Sequence, residues 1–187
     1  MIKKLLQRVF SKKDKSAKHE PTKQHARTHQ GADHNAKRIS SKTHRIDRRL
    51  LSSAAVKTTE GLQKAGFEAY IVGGAVRDLL LKKRPKDFDV ATDATPEQVN
   101  RVFRRSRIIG RRFRLVHVMF GDETIEVSTF RGSHLGESDD NQVADSGRIL
   151  RDNVFGNQEE DAVRRDFTAN ALYYDPATEE VLDFHNG

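Results

Sequence analysis

Two carboxylates stand one residue apart in KKRPKDFDVAT, residues 82–92, where Asp87 and Asp89 flank Phe88. Successive side chains of a β-strand point to opposite faces, so a strand here would place both carboxylates on one face and turn Phe88 inward. The two charges, about 7 Å apart along such a strand, repel each other unless a cation lies between them, and a divalent metal ion would suit that position. Taken alone, the pair also fits ordinary surface acids, and that interpretation stays open.

A third acid is predicted on a neighbouring strand. The runs RLVHVMF, residues 114–120, and TIEVSTF, residues 124–130, are rich in β-branched and aromatic residues, and the short turn between them predicts a hairpin. Alternation in the second run turns its β-branched residues to one face and Glu126 to the other. Three carboxylates on adjacent strands form the arrangement that holds two metal ions in nucleotidyl transfer, where one ion activates the attacking hydroxyl and the other holds the triphosphate.

A phosphate-binding turn is predicted at Gly73 and Gly74, between the strand FEAYIV, residues 67–72, and a helix over residues 75–81. Glycines at such a junction let backbone N–H groups approach a phosphate. Arg77, one turn into the helix, would reach the same phosphates. A plain tight turn would also explain the two glycines.

An arginine-rich run, RVFRRSRIIGRRFR, covers residues 101–114 and contains seven arginines and no acid. Seven like charges on one surface favour a polyanionic partner. We assign RNA or phosphate contacts to Arg111, Arg112 and Arg114. The alternative is that several of the arginines pair with acids of the folded domain.

The stretch EEDAVRRDFTANALYY, residues 159–174, is predicted to belong to a helix running from Asn157 to Tyr173. In a helix, Asp166 and Asn170 would lie together four residues apart. The predicted core-facing positions are Val163, Phe167 and Ala171.

A second pair at the same spacing, Asp161 and Arg165, is explained by a helix-stabilising salt bridge without any further role.

The remaining pattern predicts an α+β fold, a small mixed sheet with flanking helices. A helix is expected over residues 51–62, a capping box at Thr95 starts another, residues 132–147 read as a mobile loop, and residues 178–184 as a last strand. The domain would span residues 49–187, after a disordered basic arm over residues 1–48.

Charge and hydropathy support this division. The formal net charge is +7, hydrophobic residues make up 35% of the chain, and no apolar run approaches the length of a membrane span. The basic arm could bind polyanions or simply be solvated. Its first ten residues also fit a surface-seeking amphipathic helix or a transit peptide. The absence of cysteine fits a reducing compartment.

The stretch IVGGAVRDLLLKKRPKDFDVAT resembles the first signature of the class II nucleotidyltransferases, the bacterial poly(A) polymerases and CCA-adding enzymes of the DNA polymerase β superfamily. EEDAVRRDFTANALYY is similar to their second signature. GRRFRLVHVMFG and IEVSTFRG look more like the poly(A) polymerase branch. The resemblance implies a nucleotidyltransferase head in the bacterial cytoplasm that adds AMP from ATP to RNA 3′ ends, with two Mg²⁺ ions and with RNA-decay proteins as partners.

The resemblance also implies roles for individual residues. The metal ligands would be Asp87, Asp89 and Glu126, and Asp166 would be a further active-site acid. The triphosphate would be held by Gly73, Gly74 and Arg77. The nucleotide would be faced by Arg165 and Asn170.

The family continues past DF-x-G-G into a neck with an E-D-x-x-R motif and into RNA-binding domains, whereas this sequence ends at DFHNG. We therefore expect a catalytic head without its base-selecting part. Two alternatives to poly(A) addition stay open: CCA addition to tRNA, and an inactive RNA-binding fragment.

Overall fold

The computed structural model describes residues 36–111, 113–132 and 155–187. In these ranges eight strands form one sheet in the order β1-β8-β7-β2-β3-β6-β5-β4. All neighbouring strands are antiparallel except β3 and β6, which are parallel. The strands are β1 Lys37–Ile39, β2 Ala69–Val72, β3 Asp89–Thr92, β4 Ser106–Ile109, β5 Leu115–Phe120, β6 Glu123–Thr129, β7 Leu172–Asp175 and β8 Glu180–Asp183.

Five α-helices accompany the sheet in the described residues: α1 Ser41–His44, α2 Ser53–Lys64, α3 Gly74–Leu80, α4 Pro96–Val102 and α5 Gln158–Val163. Two short 3₁₀ turns lie at Arg48–Leu50 and Thr168–Asn170. Local sequence explains two of the helix starts. Ser52 Oγ accepts the first free N–H groups of α2, and α4 begins with the predicted Thr95–Gln98 capping box.

The main core lies on one face of the sheet, under α2, α3 and α4. Inward side chains of the strands, including Ile71, Val90 and Val127, pack there against Leu62 and Leu79. Along β6 the buried Ile125 and Val127 alternate with Glu126 and Ser128, as the predicted period of two requires, whereas β2 is buried on both faces. The prediction of a small mixed sheet with flanking helices is confirmed.

A smaller core lies on the opposite face, where α5 covers β2 and β7. Its buried members include Tyr70, Phe130, Ala162 and Tyr173. The Tyr70 and Phe130 rings stack at a centroid distance of 6.4 Å, and Tyr173 meets both rings edge-on. This second core fixes α5 beside the centre of the sheet.

The predicted helix from Asn157 to Tyr173 is wrong beyond Val163. A turn and a 3₁₀ segment follow α5, and the chain then enters β7. The run Leu172–Asp175 forms a hairpin with β8 and pairs with the distant β2, and these strand pairings outweigh its local helical pattern. The core positions assigned to Val163 and Phe167 are also wrong, since these side chains are 61% and 66% exposed.

Ordered structure begins before the predicted boundary at residue 49. Within the predicted arm, Lys37–Ile39 forms β1, which pairs with β8, and Arg38 forms a 2.8 Å salt bridge to Glu180. A charged three-residue strand has too little hydrophobic pattern to be recognised locally, and pairing with β8 supplies its order. The rest of the predicted arm, residues 1–35, and most of the predicted loop, from residue 133 onward, lie outside the described residues.

Two strand predictions also need correction. Asp87 precedes β3, which begins at Asp89, although Phe88 is buried as predicted. The arginine-rich run contains β4, which sequence analysis missed because its charges hid the pair Ile108 and Ile109. No helix in the described residues is both long enough and apolar enough to span a membrane.

Truncating Leu62 to alanine should lower the free energy of unfolding by about 2–5 kcal/mol, because this fully buried side chain leaves a cavity between α2 and the sheet. Leu81→Ala is the matched control, since Leu81 is 59% exposed. Urea denaturation followed by circular dichroism measures both. Equal losses for the two variants would contradict the core described above.

Candidate active site

The centre of the sheet brings two of the predicted acids together. Asp89 of β3 and Glu126 of β6 are directly paired in the parallel register. Paired residues on neighbouring strands project from the same face, with strands about 4.8 Å apart. Both side chains are exposed on the face opposite the main core. The predicted orientation of Glu126 is confirmed, because its neighbours Ile125 and Val127 are buried on the other face.

The two carboxylates repel each other. The pKa of Asp89 is raised above its usual value by partial burial and, next, by the charge of Glu126; Asp87 adds to the rise and Arg165 opposes it. Part of this rise is therefore repulsion between the neighbouring acids, which a bound cation would relieve.

Glu126 also has a neighbour on its other side. His117 of β5 is its antiparallel register partner, and His117 Nε2 lies 3.7 Å from Glu126 Oε2. His117 was not predicted as a site residue, although the alternation of RLVHVMF already placed it on the face opposite Val116 and Val118.

Arg165 is held beside the carboxylates by a buried acid. Its guanidinium donates to Asp161 Oδ2 at 2.9 and 3.3 Å and to the Tyr173 hydroxyl at 3.2 Å. Tyr173 in turn donates to Asp161 Oδ2 at 2.7 Å. Burial alone would lower the pKa of Arg165, but Tyr173 and Asp161 raise it, so the arginine stays charged. The predicted pairing of Asp161 with Arg165 is present, and it is part of this network rather than a solvated helix pair.

Gly73 and Gly74 lie where β2 passes into α3. Gly73 has φ +71°, a conformation that favours glycine, and a side chain on it would lie 3.6 Å from Arg165 Nη1. A side chain on Gly74 would lie 3.3 Å from Arg77 Nη2. Gly74 therefore lets the Arg77 guanidinium lie close to the backbone, whereas at Gly73 the positive φ is what favours glycine.

Arg77 and Asn170 are in direct contact. Arg77 Nη1 donates to Asn170 Oδ1 at 2.8 Å, and Arg77 also forms a salt bridge to Asp78 at 2.9 Å. Arg165 Nη1 lies 3.5 Å from the carbonyl oxygen of Asn170. The 3₁₀ turn that carries Asn170 thus joins two of the predicted nucleotide-binding arginines.

A cavity of about 280 Å³ opens over the carboxylates. Its lining includes residues that sequence analysis did not assign to the site: Ser128, Arg131, Asp161 and Arg164. Arg131 follows Phe130 just after the end of β6, and its backbone N–H donates to Asp161 Oδ1 at 3.2 Å. Its guanidinium lies 5.0 Å from the centre of the Phe113 ring. Sequence analysis could have assigned Arg131 to the site from its position just after the predicted strand that contains Glu126.

Other predicted residues lie outside this lining. Asp87 is exposed before β3, and Asp166 is exposed with its Oδ1 accepting the Phe167 N–H at 3.0 Å. Arg111 is exposed, Arg114 forms a 2.6 Å salt bridge to Glu97, and Arg112 lies outside the described residues. The roles assigned to these residues stay predictions.

The donor set suits a hard divalent cation. Asp89 and Glu126 supply carboxylate oxygens, which Mg²⁺ prefers, and their mutual repulsion would be relieved by a bound cation. Within the described residues, no group of three or more acidic, histidine or cysteine side chains is gathered closely enough to hold a metal ion. Asp87 would have to approach Asp89 to complete a site of three carboxylates.

Comparison with known proteins decides the family. Residues 69–187 match the family described as the poly A polymerase head domain. The chain belongs to this family. Poly(A) polymerase I of Salmonella typhimurium is 58% identical over 147 residues, which cover 77% of this chain and 32% of that protein. The matched part of the chain thus spans about a third of that relative's length.

CCA-adding enzymes are more distant relatives of the head domain. The enzyme of Bacillus subtilis is 43% identical over 126 residues, covering 67% of this chain and 30% of that protein. The crystal structure of the Bacillus stearothermophilus CCA-adding enzyme in complex with CTP has 35% identity and a TM-score of 0.52, covering 68% of this chain and 28% of that one. The predicted family and nucleotidyltransferase head fold are confirmed.

Asp161→Ala should lower the free energy of unfolding by about 3 kcal/mol, because it leaves the partly buried Arg165 without its buried partner. Glu60→Ala is the matched control, since Glu60 and Lys64 form an exposed pair at the same i,i+4 spacing and should matter by less than about 0.5 kcal/mol. Urea denaturation measures both variants. A small loss for Asp161→Ala would show that the network does not stabilise the fold.

Glu126→Gln should lower the pKa of Asp89, because it removes the largest neighbouring negative charge. A raised acid pKa means that ionisation of Asp89 opposes folding, so its penalty is absent in acid and grows as pH rises through the folded-state pKa. The variant should therefore be more stable than the original at about pH 7 and should lose that advantage near pH 3. NMR titration of the Asp89 carboxyl in EDTA, with urea unfolding at both pH values, measures this. Asp122→Asn, in the exposed β5–β6 turn, should leave both unchanged.

Proposed function

We propose that this head domain catalyses adenylyl transfer, in which the 3′-hydroxyl of an RNA attacks the α-phosphate of ATP and pyrophosphate leaves. The observation that carries the proposal is the register pair Asp89–Glu126, with Arg165 held beside it. A pair of carboxylates that can hold a metal ion, next to a fixed guanidinium, suits a metal-bound triphosphate. The bond from the 3′-oxygen to the α-phosphorus forms as the bond to the pyrophosphate oxygen breaks.

Two Mg²⁺ ions would be held by the carboxylates of Asp89, Glu126 and Asp87. Bound there, the ions would make the hydroxyl more acidic and neutralise the leaving pyrophosphate. Asp161 and Tyr173 support this chemistry by keeping Arg165 in one position, so that no reorganisation is needed when phosphate charge develops.

The phosphates of ATP would be bound by Gly73, Gly74, Arg77 and Arg165. Asn170, which already holds Arg77, would face the ribose. A contact to the 2′-hydroxyl would favour ribonucleotides. Asp166 would serve as a further acid of the site, and Arg111, Arg112 and Arg114 as phosphate contacts for RNA. The expected cytoplasmic location and RNA-decay partners stay predictions.

Poly(A) addition is preferred to CCA addition because the poly(A) polymerase I relative is 58% identical to this chain and the Bacillus subtilis CCA-adding enzyme is 43% identical. CCA addition is the second candidate, supported by the similarity to the structure of a CCA-adding enzyme in complex with CTP. The two differ in product, since one makes a run of adenosines and the other stops after C-C-A.

Asp89→Ala should reduce pyrophosphate release by about 100-fold or more, because it removes a carboxylate from the centre of the site. The assay supplies an RNA primer, Mg²⁺ and either ATP alone or ATP with CTP, and primer length is read on a gel. Asp122→Ala, an exposed acid in a turn, is the control and should keep full activity.

Addition that stops after C-C-A would favour the second candidate. RNA binding without any pyrophosphate release would favour the inactive-fragment alternative. Turnover that Asp89→Ala does not reduce would overturn the site itself.

A further inference from the structure

A row of paired side chains crosses the sheet from the candidate carboxylates to the β4 edge. Asp89 pairs with Glu126, Glu126 with His117, and His117 with Arg107. Directly paired residues project from the same face. Arg107 is exposed, so the row runs from negative charge at the centre of the sheet to positive charge at its edge.

On the other side of Asp89, toward β2 and β7, the same row of paired residues is covered by the smaller core. Val72 is the register partner of Asp89, and Tyr173 is the partner of Val72. Both side chains are buried in the smaller core beside Ala162 of α5. Among the residues that the structure describes, this face of the sheet is therefore open from the carboxylates toward β5 and β4 and closed toward β2 and β7.

The reaction geometry of the proposed function indicates from which side of the sheet the attacking RNA hydroxyl approaches. In phosphoryl and nucleotidyl transfer, the attacking and leaving oxygens lie roughly in line on opposite sides of the phosphorus. Gly73 and Arg165 would hold the leaving pyrophosphate, and they lie beside β2, on the closed side of the row. The attacking hydroxyl must then approach from the side of β5 and β4.

We propose that the RNA 3′ end lies across the exposed face of β5 and β4, where Arg107 binds a phosphate of its terminal nucleotides. This rests on the proposed function. Arg107 lies two strand spacings from Glu126, about 10 Å along the row, and its long side chain covers part of that distance. The occupant is single-stranded RNA because the β4 region is basic and contains no acid.

Apolar side chains on the same face would support the bases. Leu115 pairs with Ile109 and alternates with His117 along β5, so the three project from one face. Leu115 and Ile109 are half-buried and are separate from the two hydrophobic cores described above. Half-exposed aliphatic groups beside an arginine offer a surface on which base faces can pack without reading sequence.

Arg107→Ala tests the proposal, with Arg104→Ala as the matched control. Arg104 is also exposed, but it lines a separate cavity of about 580 Å³ between α2 and the β5–β6 hairpin. Affinity of the full chain for a fluorescent oligoadenylate is measured by anisotropy at several salt concentrations. Arg107→Ala should weaken binding about tenfold and reduce the slope of log affinity against log salt by about 0.7. Arg104→Ala should change neither.

A second measurement locates the RNA 3′ end. An oligoadenylate with a 3′-terminal 4-thiouridine is photo-crosslinked to the original chain, and the crosslinked peptide is identified by mass spectrometry. Crosslinks within β4 or β5 support the proposal. Crosslinks confined to other segments would overturn the proposal, and so would equal RNA affinity of the two arginine variants. The charge of Arg107 would then serve only to keep the edge strand β4 from pairing with other strands.

The two proposals fail separately. If Arg107→Ala weakens RNA binding while the original chain releases no pyrophosphate from ATP, adenylyl transfer is wrong and the RNA face stands. If the original chain turns over and Arg107→Ala raises neither the KM for RNA nor the dissociation constant, adenylyl transfer stands and the RNA face is wrong. An effect of Arg107→Ala on the KM for ATP alone would also contradict the RNA face.

Discussion

The candidate site depends on the hydrogen bonds that converge on the buried carboxylate of Asp161. It accepts from the Arg131 backbone, the Arg165 guanidinium and the Tyr173 hydroxyl, and so ties α5 to β7 and to the segment after β6. A carboxylate buried to this degree is tolerated only when its acceptor capacity is filled and a positive charge is adjacent. The same bonds keep Arg165 next to Asp89, so the stability of α5 and the geometry of the site are not separable.

A single parallel strand pair sets the geometry of the acids. β3 and β6 run in the same direction, and parallel neighbours need a crossover connection rather than a tight turn. Here the crossover contains α4 and the strands β4 and β5, so the chain that separates Asp89 from Glu126 in sequence also builds the open face beside them. The crossover that brings Asp89 and Glu126 into register thus also forms the sheet surface on which a polymer could lie.

Local patterns in the sequence were enough to predict some of these features. Alternation correctly placed Glu126 opposite a buried face, because the side-chain period of a strand is local. It could not place Tyr173 in a strand, since that strand depends on pairing with β2, which lies much earlier in the chain, as well as on the hairpin with β8. The spacing of Asp161 and Arg165 fits a solvated helix pair equally well, and only the packing of α5 against the second core makes it a buried network. The position of Arg107 in the row likewise depends on register.

The short strand β1 has a consequence for how this domain behaves as an isolated unit. β1 lies at one end of the sheet and covers β8, whose Val181 and Leu182 are buried. A fragment that starts at residue 49 would leave the hydrogen-bonding edge of β8 open beside these apolar side chains. An unpaired strand edge beside apolar side chains can pair with a strand of another copy of the domain. By pairing with β8, residues 37–39 therefore protect the domain from self-association. Charged Lys37 and Arg38 make β1 a poor edge for further pairing.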